Sequence, residues 1–123
     1  MTANFETVGT LNNDALIAGN AHLLVGVKIT VLSGQVQPRG AVMGKITTGG
    51  KYILSLSAAT DGSETPDLIL AEAVDATGGD VPALAYARGD FISGALTLGT
   101  GHTIASISQG LRGKGITLLT AIA

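Results

Sequence analysis

The residues Gly40-Ala41-Val42-Met43-Gly44-Lys45-Ile46-Thr47 come nearest to a chemical motif in this chain. A phosphate-binding loop needs Gly-x-x-x-x-Gly-Lys followed by Ser or Thr, because backbone N–H groups and the lysine cradle the phosphates while the hydroxyl holds magnesium. The spacing fails twice: Arg39 stands where the first glycine is needed and Ile46 where the hydroxyl should be. The segment reads as strand and turn. Arg88-Gly89-Asp90 is the tripeptide of integrin ligands, but three residues recur by chance, and these fall where a strand is expected to give way to a turn. His22 and His102 belong to no spaced ligand set, and structural or solvated roles are expected for both. Asp61-Gly62-Ser63-Glu64 lacks the alternating oxygen ligands of a calcium loop. With no cysteine, thiolate nucleophiles and Cys-based zinc sites are excluded. A catalytic site assembled only in three dimensions stays open, but nothing local points to one. The expectation is a non-enzyme with no catalytic residues, cofactor or metal.

Composition bounds the rest. The chain has 123 residues, enough for one modest core. Charged residues make up 13%, against about 25% in an ordinary soluble domain. There are 18 glycines and only two Tyr and two Phe, so the core must be aliphatic and closely packed. So thin a coat of charge leaves apolar surface that another chain should cover, which predicts a subunit of something larger. The net charge of −2 argues against a nucleic-acid partner. Lys28, Arg39, Lys45 and Lys51 make the early part basic, and Asp61, Glu64, Asp67, Glu72, Asp75, Asp80 and Asp90 make the middle acidic. These segments could pair within the fold or across a subunit boundary, or be solvated turns. No secretory signal or stretch of membrane-spanning length is seen, so a soluble protein made in the cytoplasm is expected, with no membrane partner.

The elements are mostly short strands closed by Gly, Asp or Pro turns, centred on Gln37 to Phe91. Residues 1–10 read as a polar arm and 11–123 as a single β-rich domain. Phe5 in that arm is either an anchor for a partner or an incidental apolar side chain. Short strands are expected at Ala15 to Ala18 and Val27 to Leu32. Ala41 to Thr47 and Lys51 to Ser57 form a hairpin about Thr48-Gly49-Gly50. In its second arm Tyr52, Leu54 and Leu56 share one face, with Ile53, Ser55 and Ser57 opposite. Pro66 keeps the preceding loop from helix. Further strands are expected at Leu68 to Asp75, Val81 to Arg88 and Ala95 to Leu98. The second of these has small residues on one face and, because of Pro82, starts at or near an edge. Gly101 to Leu111 is the one helix, with Gly110 and Gly113 weakening or stopping it. The apolar tail Ile116 to Ala123 should be a paired strand.

The order of these pieces resembles the head decoration (capsid-stabilising) proteins of tailed bacteriophages. The residues that carry it are Ser33-Gly34, Pro38-Arg39-Gly40 leading into Val42-Met43-Gly44-Lys45-Ile46, Gly50-Lys51-Tyr52, Ala58 to Ser63, Ile69 to Ala76, and Tyr86-Ala87-Arg88-Gly89-Asp90-Phe91; Leu111-Arg112 to Gly115-Ile116 is similar to the family's exit from its C-terminal helix. The resemblance implies a mainly β fold, a compact β-tulip or barrel-like domain with one short helix near the C-terminus and an extended N-terminal arm. It implies a homotrimer on the outer surface of the mature capsid at local threefold positions, with the major capsid protein as partner and no enzymatic activity. By position, Thr2, Asn4, Phe5, Glu6 and Thr7 would form the capsid-binding arm. The alternative reading is a non-viral β-rich oligomeric module that binds a small ligand or a partner protein.

Overall fold

The computed structural model describes residues 16–19 and 24–119. In chain order the strands are β1 (Ile17–Gly19), β2 (Val25–Val31), β3 (Val36–Gln37), β4 (Val42–Lys45), β5 (Tyr52–Leu54), β6 (Pro66–Leu70), β7 (Val74–Asp75), β8 (Val81–Ile92) and β9 (Ile116–Leu119). One helix, α1 (Ile104–Arg112), precedes β9. Among the described residues the fold is mainly β with one short α-helix near the C-terminus, as the sequence predicts.

β8, β2, β5, β4 and β6 close into a five-stranded barrel, since β6 pairs back onto β8. The β4–β5 hairpin forms as expected, with Gly49 and Gly50 at φ 95° and 74° reversing the chain between Lys45 and Tyr52. The closure is uneven. β2 meets β5 at the single pair Val31–Tyr52, and β6 meets β8 only at Ile69–Tyr86 and Leu70–Ala85.

Two hydrophobic clusters sit on the two sides of the barrel wall. The inner one contains Ile29, Val31, Met43, Leu68, Leu70, Ala83 and Ala85, and Val74 and Ala76 from the short β3–β7 ribbon join it. The outer one packs Val42, Ile69 and Phe91 against Ile107 and Leu111 of α1 and Ile116 of β9. Both faces of the wall are therefore apolar where α1 covers it, and Leu68, Ile69 and Leu70 are buried in succession.

Several sequence expectations are corrected. The alternation along Tyr52–Ser57 ends with β5 at Leu54: Ser55 is fully buried and Leu56 exposed, because the chain turns inward to pack Ser55 against the 61–64 loop. Leu68 to Asp75 is two strands in two sheets. After Leu70 the Ala71 N–H goes to Leu84 O, but the next ladder position is taken by the Glu72 carboxylate, which accepts from Leu84 N at 2.9 Å and breaks the strand. Pro66 opens β6, where its lack of an N–H is tolerated. β8 runs through Arg88-Gly89-Asp90 to Ile92 without turning, because β1 and β9 hydrogen-bond to its two edges there. Ala95 to Leu98 is not a strand; Ser93–Ala95 is a 3₁₀ turn, and Thr97 makes only an isolated bridge to Ala41.

Other expectations hold. Ala83 and Ala85 are buried while Leu84 is exposed, and β6 leaves the edge of β8 open at Pro82. Ile116–Leu119 pairs in parallel with Gly89–Ile92; residues 120–123 lie outside the described residues. α1 starts on a capping box in which the Thr103 side chain accepts from Ser106 N and the Ser106 hydroxyl accepts from Thr103 N. It continues through Gly110, which is exposed and has open space where a Cβ would stand. Gly110→Ala is therefore expected to stabilise the protein by about 0.5–1 kcal/mol in a denaturant titration, through backbone entropy alone.

Candidate functional site

β8 ties the two chain ends together. Ile92 N donates to Leu16 O at 2.7 Å on one side, and Leu119 stands level with Ile92 on the other. Residues 1–15 and 120–123 thus join the described fold at one end of β8, on strands about 10 Å apart. Thr2, Asn4, Phe5, Glu6 and Thr7, the residues assigned to the arm, lie outside the described residues, as does His22.

Beyond Ala87, β8 leaves the barrel, and the barrel has an open mouth there. The recess has a volume of about 610 Å³ and is lined by Val27, Ile29, Leu68 and Ala87 of the inner wall together with Tyr52 and Asp67. Lys28, Lys45 and Lys114 also line it. The Tyr52 hydroxyl donates to Asp67 Oδ2 at 2.9 Å, and Lys114 Nζ sits 3.1 Å from Asp67 Oδ1. Partial burial, then the hydrogen bond to Asp67 and its negative charge, push the Tyr52 phenol up from 10.0 to about 12.

His102 is structural, as expected. The Ser55 hydroxyl donates to Ser63 O at 2.7 Å, so it must accept from His102 Nε2, which lies 3.1 Å away. The same Nε2–H faces Glu64 O at 3.1 Å, so the two contacts place a proton on Nε2. With Ser55 Oγ buried and its proton committed, this is a clamp between loops and not a nucleophile with its base.

The acidic segments hold turns or pair within the fold. Asp61 and Asp75 accept from the hydroxyl and amide of Ser63 and Thr77 respectively, and these bonds hold both carboxyls below the usual range. Asp80 is lowered by its bond to Lys51, at 2.5 Å, and by the Ser33 N–H. Arg39 bonds Ala71 O and Tyr86. Complementary early and middle segments thus meet inside one subunit through Lys51 and Asp80. No group of three or more acidic or histidine side chains able to hold a metal is found among the described residues. No helix among them is long and apolar enough to cross a membrane.

The pH dependence follows by sign. A carboxyl lowered by folding stabilises above its unfolded value of 3.8 and ceases to do so as pH falls through the folded value. The deficit of Asp80→Asn relative to the parent should accordingly shrink as pH falls below that range in thermal melts. Tyr52 behaves oppositely. Its contribution is complete below pH 10 and is lost as pH rises through about 12, so the gap between the parent and Tyr52→Phe should close in that window.

A barrel whose polar clusters serve as loop clamps and turns, with a mouth at the end where β8 goes on to pair with β1 and β9, has the form of a subunit that acts through its surfaces. The chain belongs to the phage head decoration family: the family described as bacteriophage lambda head decoration protein D matches residues 7–116. No curated protein matches it. Family membership selects the virion over the non-viral ligand-binding module, and it makes the protein a structural component of a phage capsid.

Proposed function

We propose that this protein binds the outer surface of the mature head as a homotrimer at local threefold positions and stabilises the shell against disruption. The observation that carries this reading is the family match over nearly the whole chain. The surface suits it: few charges and exposed Val25, Val36, Leu56, Leu84 and Leu119 leave apolar area for contacts between copies and with the major capsid protein. A ligand that binds only the assembled shell stabilises it by mass action, and three copies joined in a trimer turn modest contacts into avidity.

In this reading residues 1–10 form the attachment arm and 11–123 the decoration domain. Thr2, Asn4, Phe5, Glu6 and Thr7 would add backbone hydrogen bonds to a strand of the shell. Co-sedimentation with mature particles from the source lysate tests this. Copy numbers comparable to the major shell protein are expected, with binding lost and the domain's melting temperature unchanged on deletion of residues 1–10. Absence from particles would overturn the proposal. Full binding by the truncated chain would overturn the role of the arm.

A further inference from the structure

The barrel mouth has a chemistry that the fold itself does not use. Its floor is the inner aliphatic cluster, reached where β2 parts from β5 and β6 from β8, and the far end of the barrel is closed by Val74 and Ala76 of the ribbon. Among the described residues its lining carries three lysines and a single carboxylate, in a chain whose net charge is −2. Lys114 is matched by Asp67, but among the described residues no carboxylate lies within ion-pair distance of Lys28 or Lys45. Lys45 follows Met43 by two residues on β4, so it sits on the face that lines the barrel interior, at the point where the interior opens.

From this arrangement we infer that the mouth is a docking pocket for an acidic segment of the shell surface, one that presents an apolar side chain beside a carboxylate. The apolar group covers Val27, Leu68 and Ala87, and the carboxylate lies against Lys45, with Lys28, which alternates with Val27 and Ile29 along β2, at the rim. A recess of about 610 Å³ that opens to solvent suits a side chain and its neighbours on a loop. The mouth lies where β8 leaves the barrel to meet β1 and β9. This inference rests on the proposed attachment to the capsid, and adds to the arm a second contact that is electrostatic and sensitive to salt.

The test uses the full-length chain and mature heads stripped of it. Binding isotherms are measured at two salt concentrations for the parent, Lys45→Glu, the double variant Lys28→Glu/Lys45→Glu and the control Arg112→Gln, whose side chain is exposed at the end of α1. Oligomeric state and melting temperature are recorded for each. The expected result is a roughly tenfold or greater loss of affinity for the double variant, a smaller loss for Lys45→Glu and none for the control, with a weaker salt dependence in the charge-reversed proteins. The milder Lys28→Gln/Lys45→Gln pair should move the same way and covers the case in which reversal harms folding. Parent-like affinity and salt dependence in the double variants would overturn the inference while leaving capsid binding intact. Loss of self-association in those variants would overturn it too, by assigning the mouth to contacts between copies. Failure of the parent to bind heads would instead sink the underlying function.

Discussion

Gly44→Ala is expected to cost about 3 kcal/mol or more in a denaturant titration, at a position where sequence reading sees only an interrupted phosphate-loop motif. A Cβ on Gly44 would stand 2.0 Å from Ser63 O and 2.7 Å from Ser63 C. Both are backbone atoms of a loop held by the Ser55 hydroxyl and by Asp61, so the obstacle cannot rotate away. Either β4 or the 61–64 loop must shift, and overpacking of this kind usually costs 1–3 kcal/mol and sometimes more. Gly99 repeats the situation against Ser55 O, also at 2.0 Å, so Gly99→Ala should behave similarly. Gly78→Ala, with nothing within 4 Å of the added methyl, is the control and should stay within about 0.5 kcal/mol. Near-equal midpoints for Gly44→Ala and Gly78→Ala would show that the loop yields readily.

Phe91→Ala should be the most damaging truncation, at about 3–5 kcal/mol. The ring is fully buried, tilted 40° to Tyr86 with centroids 5.5 Å apart, and lies where β1 and β9 flank β8. Around it the outer cluster draws on β1, β4, β6, β9 and α1, so a hole there loosens the elements that carry both chain ends. Domains of this size have only about 5–15 kcal/mol to lose. The variant should therefore melt far below the parent, and Phe91→Leu, which retains part of the volume, should lose less. A near-parental melting temperature for Phe91→Ala would show that the outer cluster collapses to fill the space.

The elements legible in the sequence were those whose signals are local. Gly49 and Gly50 mark a reversal that needs positive φ, and the alternation of Ala83, Leu84 and Ala85 survives because β2 and β8 face water on one side there. Ile116–Leu119 was recognisable from its uncharged, β-prone run. The errors fall where tertiary contacts decide. Leu68, Ile69 and Leu70 lose their alternation because α1 covers the outer face of the wall, and nothing nearby in sequence announces that cover. Arg88-Gly89-Asp90 carries a turn's composition but is held straight by β1 and β9, which come from opposite ends of the chain. Ser55 reads as the outward face of a strand, and its burial depends on His102 and Ser63. Of the candidate site, the low charge that predicts a subunit could be read directly. The mouth could not, since it comes from the partial pairing of β2 with β5 and β6 with β8, a property of register and not of composition.

The position of β8 also bears on how the molecule forms. β2 has no long ladder until β8 arrives, and every connection from β3 to β7 intervenes between them. β1 likewise waits for Phe91, and β9 is the last strand among the described residues. Apart from the β4–β5 hairpin and its β6 neighbour, few of the ladders can therefore form before β8 is made, and the loop-closure entropy of the longest connections must be met before those ladders repay it. The expected consequence is a late, concerted collapse, slow for so small a chain, during which the aliphatic strands remain open to mispairing with other copies until β8 is complete.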